Sequence, residues 1–163
     1  MTKKKVFKPM TPAGYKRIAE EHRELLEDQR PGIVQGIAIA AAEGDRSENA
    51  EYIYGKKRLR EIDKRLRYLS SLIKDVEIID PQFIRSDRVE FGATVTIENE
   101  EGEQRTWTIV GNGEADVDRG TISWKSPLAK AVLSKKVGDV VELLKPKGEE
   151  ELEILEIRYE ESF

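Results

Sequence analysis

Apolar residues recur along the chain with two different periods. Tyr15, Ile18, His22 and Leu25 follow one another at spacings of three, four and three, and Ile33, Ile37 and Ala41 continue the face. That is the repeat of one side of a helix. Thr11-Pro12 supplies its start, with Thr as the cap and Pro at the first helical position. Pro31-Gly32 interrupts the pattern and predicts a kink or a restarted turn, because proline lacks the amide proton that a helix interior needs. Glu43-Gly44 predicts the end, since Gly can supply the left-handed residue there.

A second helical pattern follows. Leu59, Ile62, Leu66, Leu69, Ile73 and Val76 alternate spacings of three and four, and Tyr52 fits the same seam. This is a coiled-coil repeat, with polar residues at nearly every other position. The two seams flank a short turn, so the helices should fold back as an antiparallel hairpin. Arms of some 30 residues at ~1.5 Å rise predict a rod roughly 45 Å long.

Asp80-Pro81 should break the second helix, and from about Ile78 the period shortens to two. Val95 and Ile97 alternate with Thr94, Thr96 and Glu98, and Asn99 to Gly102 turns the chain toward a strand around Trp107 and Ile109. Ser126-Pro127 caps a short helix, Leu128 to Lys135, and Gly138-Asp139 leads into the strand Val140 to Leu144. Leu152, Ile154 and Ile157 mark the last strand. The chain therefore divides into a coiled-coil hairpin over residues 1–77 and a small α+β domain over 78–163, with one helix on a mostly antiparallel sheet.

Composition sharpens this picture. Hydrophobic residues make up 38% of the 163 and charged residues 37%, which suits a thin element beside a compact one better than a sphere. The net charge of −4 argues against a general duplex-DNA binder, but it conceals segregation. Between Lys56 and Arg67 seven Lys or Arg face only Glu61 and Asp63, whereas Glu142 to Phe163 holds eight Glu against Lys145, Lys147 and Arg158. With no cysteine, disulfides and thiolate metal sites are excluded, and a reducing cytoplasm fits. The basic start lacks the apolar stretch of a signal peptide, and the run Ile37 to Ala42 is too short to span a bilayer. A soluble, cytoplasmic monomer is expected.

Three sets of residues carry candidate chemistry, and each has a plainer reading. Asp45 and Glu48 stand three apart before the second helix, a capping arrangement for which Ser47 is a further candidate. The same two carboxylates are hard oxygen ligands at the end of a rod, too few for an octahedral Mg²⁺ site unless a partner completes it. Lys56, Lys57, Arg58, Arg60, Lys64, Arg65 and Arg67 suit either a solvated coiled-coil flank or a track for a single nucleic-acid strand. The only histidine, His22, falls on an apolar seam and reads as a packing residue, as do Trp107 and Trp124 on strands. No nucleophile–histidine set and no glycine-rich phosphate loop is present. The pieces resemble half of an active site.

"GDRSENAEY" resembles the tip of the bacterial Gre transcript-cleavage factors, and "YGKKRLREIDKRLRYL" looks like their GreB branch. The likeness continues through "FGATVTIE", "IVGNGEAD", "ISWKSPLAKAV" and "VGDVVEL", covering nearly all of the chain from Thr11. It implies an antiparallel coiled coil followed by a domain of FKBP-like fold. It further implies a hairpin that enters the secondary channel of RNA polymerase, where the acidic tip helps the polymerase's own active site cleave the backtracked RNA 3′ end. The protein would then be an accessory factor and not a nuclease. By motif, the tip acids correspond to Asp45 and Glu48 with Ser47 between them, sharing Mg²⁺ with the polymerase. The basic patch facing the extruded RNA corresponds to Lys56, Lys57 and Arg60, and the polymerase-docking segment to Ser126 and Pro127. Lys125 departs from the pattern, standing where an Asp or Asn precedes that Ser-Pro. Two competing readings share the rod: a channel binder that inhibits without promoting cleavage, and a structural coiled-coil adaptor.

Overall fold

The computed structural model describes residues 5–44 and 48–162. Contacts divide the chain into two units. One combines Met1–Tyr15 with Asp75–Phe163, and the other is Lys16–Lys74. The first 15 residues, placed with the hairpin on sequence, thus group with the C-terminal domain.

Helix α1 (Pro12–Arg23) starts as expected: the Gly14 amide donates to Thr11 Oγ1 at 3.1 Å. The predicted break at Pro31 takes another form. A π-helical segment, Glu24–Gln29, precedes α2 (Arg30–Ala42), and the Arg30 amide reaches back to the Leu25 carbonyl. Widening the turn just ahead of the proline lets the helix pass without the amide that Pro31 lacks. Helix α3 runs over Ala50–Ile73. It ends before Val76 and well before Asp80-Pro81, because Asp75 adopts φ +58° and turns the chain away.

Within the hairpin the two arms run antiparallel, as the cross-helix partners show. His22 pairs with Ser70 at 3.0 Å, Arg30 with Asp63 at 2.9 Å and Gln29 with Arg58 at 3.1 Å. Ile18, Leu25, Ala40, Ile62, Leu66, Leu69 and Leu72 are buried between them. Tyr15, expected on this seam, is instead exposed, and Gly14 beside it is the buried position. Gly55 is a helical glycine with a packing reason: a Cβ there would fall 2.7 Å from Cγ1 of Ile37. The arms approach at that level because the side chain is missing.

The other unit is α+β. Strands β1 (Pro9–Met10) and β2 (Glu77–Ile78) pair in parallel. The main sheet contains β3 (Thr94–Asn99), β4 (Gln104–Val110), β5 (Thr121–Ser123), β6 (Val140–Lys145) and β7 (Gly148–Arg158). Its order is β5-β4-β3-β7-β6, antiparallel except for β4 with β5. Helix α4 (Pro127–Val132) is shorter than predicted and lays Ala129 and Val132 on a core of Val95, Ile97, Ile109, Val141, Leu152 and Ile154.

The odd spacing of Leu152, Ile154 and Ile157 has a cause. Pairing of β3 with β7 slips between Thr96, opposite Glu156, and Ile97, opposite Ile154. Leu155 is the extra residue of a β-bulge, so three apolar side chains face inward although strict alternation would send the last one out.

Glu114 ties the chain's beginning to this domain. Its buried carboxylate accepts from the Thr11 amide at 3.2 Å, from the Thr11 hydroxyl and from the Gly111 amide. It lies so close to Gly14 that a Cβ there would stand 1.7 Å from Oε1. A buried carboxylate is costly to desolvate, and these donors offset that cost.

Candidate functional site

Asn49 links the start of α3 to the end of α2. It has extended backbone angles, φ −84° and ψ 101°, and its side-chain oxygen accepts from the Tyr52 amide at 3.2 Å. Its side-chain nitrogen donates to the Ala40 carbonyl at 2.7 Å, which also accepts from the Glu43 amide at 3.2 Å. A carbonyl in the last turn of one helix and an otherwise orphaned amide at the start of the next are thus bound by one side chain.

Asp45 and Ser47 lie outside the described residues. Glu48 is described: it is exposed and immediately precedes the Asn49 cap. This corrects the capping reading of the acidic pair for α3. A capping-box acid sits three residues inside the cap, whereas Glu48 stands one residue before it. The cap of α3 is made without this carboxylate. Among the described residues no group of three or more His, Cys, Asp or Glu side chains converges to hold a metal ion. Glu48 and Asp45 would together contribute two oxygen donors to a Mg²⁺ site, a fit to hard-cation chemistry that leaves the remaining positions to another molecule.

The seven basic residues of α3 separate by their position around the helix. Arg58 and Arg65 flank the seam and reach across it. Arg65 grips Glu21 through two bonds of 2.8 and 3.0 Å, and Arg58 bonds Gln29 as well as Glu61 at 3.5 Å. Hydrogen bonding and then charge from Glu21 hold the Arg65 guanidinium above its ordinary range. Arg67 adds to the positive field on Asp63, whose carboxyl is held low first by the Arg30 hydrogen bond. Lys56 sits 5.8 Å from the centre of the Tyr52 ring. Lys57, Arg60 and Lys64 are exposed, and among the described residues no carboxylate lies within ion-pairing distance of them. The expected trio Lys56, Lys57 and Arg60 is therefore exposed on one helix, with Lys57 and Arg60 turned away from the seam.

Ser126 and Pro127 begin α4. The Ser126 hydroxyl accepts from the Ala129 amide at 3.2 Å, and Pro127 occupies the first turn. Beside them Lys125 is exposed, with its ammonium 5.4 Å from the centre of the Trp124 ring. Phe7 meets the same indole edge-on at 5.5 Å. Lys125 thus has an aromatic neighbour of its own at the position that departs from the motif. Asn49, Gly55 and Glu114 escaped sequence reasoning. Of these only Asn49 carried a local signal, as a good cap residue directly before an amphipathic repeat.

Two family models match the chain: "Transcription elongation factor, N-terminal" over residues 8–78, and "Transcription elongation factor, GreA/GreB, C-term" over residues 84–159. A transcription elongation factor GreB of Neisseria meningitidis is 44% identical over 92% of this chain and 93% of its own. The GreB of Yersinia pestis is 47% identical, covering 92% and 88%. A GreA of Paracoccus denitrificans is 43% identical, covering 93% and 97%. Among solved structures, a GreA factor homologue of Thermus thermophilus aligns over 94% of this chain and 99% of its own, at 25% identity and a TM-score of 0.44.

Proposed function

The chain belongs to the GreA/GreB family of transcription elongation factors, on its GreB-like side, and from that membership we propose that it rescues arrested RNA polymerase by promoting transcript cleavage. In this reading the hairpin enters the secondary channel, and the polymerase's own active site cuts the backtracked RNA. The observation that carries it is Asn49 at the α3 cap, which leaves the exposed Glu48 carboxylate outside the helix and out of its cap.

Each part of the chain then has a task. Asp45 and Glu48 present oxygen donors that complete the coordination of a Mg²⁺ held chiefly by the polymerase. A cation held there would supply a water of lowered pKa as the nucleophile for a phosphodiester. Lys57 and Arg60, with Lys56 beside them, offer unneutralised charge to the phosphates of the extruded strand. Acid at the turn and base along the shaft place the strand and the ion within one another's reach. The opposite order would repel both. Ser126 and Pro127 form part of the surface that meets polymerase, and the short helix they begin keeps that segment fixed in shape.

The test is cleavage of end-labelled RNA in a stalled, backtracked polymerase complex, with and without the full chain. Shortened transcripts that appear with the chain, and depend on Mg²⁺, support the proposal. Binding to polymerase without cleavage would replace it with a channel inhibitor. Absence of binding would leave the structural adaptor.

A further inference from the structure

On the side of α3 that faces away from the seam, Tyr54, Lys57, Glu61, Lys64 and Tyr68 follow one another at spacings of three and four. They form one stripe about 21 Å long at ~1.5 Å per residue. Both tyrosines are large side chains held out in solvent, Tyr54 at 67% and Tyr68 at 46% exposure. The hairpin gains little from Tyr54, whose burial is slight, and tyrosine is a weaker helix former than the Lys, Arg or Glu that fill such faces; Tyr68 is about half covered. Singly, an exposed aromatic means nothing. Here two of them bracket Lys57 and Lys64, which have no carboxylate in ion-pairing reach among the described residues. Glu61 interrupts the stripe, but its carboxylate is engaged by Arg58 at 3.5 Å. Tyr68 carries the Arg65 guanidinium 5.3 Å from its ring centre, and Arg65 is itself fixed by Glu21, so one face of that ring is set.

We propose that this stripe is a stacking track for single-stranded RNA, in which Tyr54 and Tyr68 receive bases while Lys57 and Lys64 hold phosphates. Aromatic faces at the ends with cations between them suit an unpaired strand, because every base has a π-face and every link carries a charge. A duplex would offer no exposed faces to stack. The stripe is narrow and Lys57, Glu61 and Lys64 interrupt it, so it lacks the contiguous apolar patch that would mark a protein-docking site. The inference rests on the cleavage reading for its biological setting but not for its chemistry. It assigns the outward tyrosines to base contact, where the basic residues alone would read only backbone.

The decisive measurement is binding of a labelled single-stranded RNA, and of the same strand with abasic sites, to the full chain by fluorescence anisotropy at low salt. Base–aromatic stacking is worth about 1–3 kcal/mol, so Tyr54→Ala should weaken binding to the normal strand by about 5- to 150-fold. On the abasic strand the loss should nearly vanish, and Tyr54→Trp should restore binding to the normal strand. Tyr68→Ala should behave likewise, with unchanged helical circular dichroism in every variant. No RNA binding by the unaltered chain, or equal losses on normal and abasic strands, would overturn the proposal. Because this assay contains no polymerase, its outcome is separate from the cleavage test. RNA binding without transcript cleavage would sink the proposed function and keep the track.

Discussion

Asn49 donates its side-chain amide to the Ala40 carbonyl at 2.7 Å while its oxygen caps α3, so one residue closes both helices at the turn. Asn49→Asp keeps the cap and loses the donor, whereas Asn49→Ala loses both. The Ala variant should lose about 1 kcal/mol from the cap alone, and more for the bond to Ala40. Thermal unfolding should rank the proteins wild type, Asp, then Ala. Equal melting of Ala and wild type would show that the turn is held by something else.

The tip acids give a sharper contrast. Since α3 is capped by Asn49, Glu48→Gln should leave stability within about 0.5 kcal/mol of wild type, as for other exposed substitutions. If Glu48 and Asp45 contribute Mg²⁺ ligands, Glu48→Gln and Asp45→Asn should each bind polymerase normally but lose most cleavage stimulation. Higher Mg²⁺ should partly restore it, because neutral amides bind the cation more weakly than carboxylates. Normal cleavage by the double variant would sink the metal role.

The basic residues should divide by where they point. Replacing Lys57 and Arg60 with Ala should leave the melting temperature unchanged and reduce the salt slope of RNA-dependent cleavage by about 1.4, at ~0.7 per single-strand phosphate contact. Arg65→Ala should do the reverse, lowering hairpin stability through loss of Glu21 while sparing the slope. Measuring both quantities on the same preparations tests the division.

Acid should weaken the hairpin through Asp63. Its hydrogen bond from Arg30, then the charges of Arg30 and Arg67, hold the carboxyl below its ordinary value. A depressed carboxyl contributes stability that is complete above its unfolded pKa, about 3.9, and is lost as pH falls through the lower folded value. Between pH 5 and 8 this contribution should therefore be flat, and it should decline below about pH 4. In Asp63→Asn that acid-dependent part of the decline should disappear, as followed by helical circular dichroism.

Glu114 predicts a structural lesion remote from any chemistry. Glu114→Gln keeps one acceptor oxygen but puts an NH2 where the other accepts, so either the Gly111 amide or the Thr11 donors face a like group in a buried place. A loss on the order of 3 kcal/mol is expected. Gly14→Ala should be comparably damaging, since its methyl group would occupy the space of the carboxylate. Denaturant unfolding of the full chain checks both.

The helical seam and the strand alternation were legible because each depends on neighbours within a few residues. Ile62, Leu66 and Leu69 announced their burial by spacing alone. Even the bulge at Leu155 left its mark as the uneven interval between Ile154 and Ile157. The α3 cap was harder to locate, because Asp45, Ser47 and Asn49 are all competent and only the exact helix start chooses among them. Gly55 gave no sign of its purpose, which belongs to Ile37 on the other arm. Glu114 was beyond reach in principle: its partner Thr11 lies 103 positions away, and nothing in either local segment mentions the other.

The grouping of Met1–Tyr15 with Asp75–Phe163 makes the hairpin an insertion, and this has a consequence for biosynthesis. A ribosome makes the opening fragment of the larger unit, then the entire hairpin, then the remainder. Residues 16–74 have all their principal partners in hand as soon as they emerge, so they can fold through contacts between the two arms. The larger unit must wait. Thr11 has no Glu114 to bond until another hundred residues are translated, and β3 remains an open edge until β7 arrives as the last strand of its sheet. During that interval the hairpin is finished while the larger unit is still an unpaired fragment, and Thr11 is the residue on which the two ends of that unit finally meet.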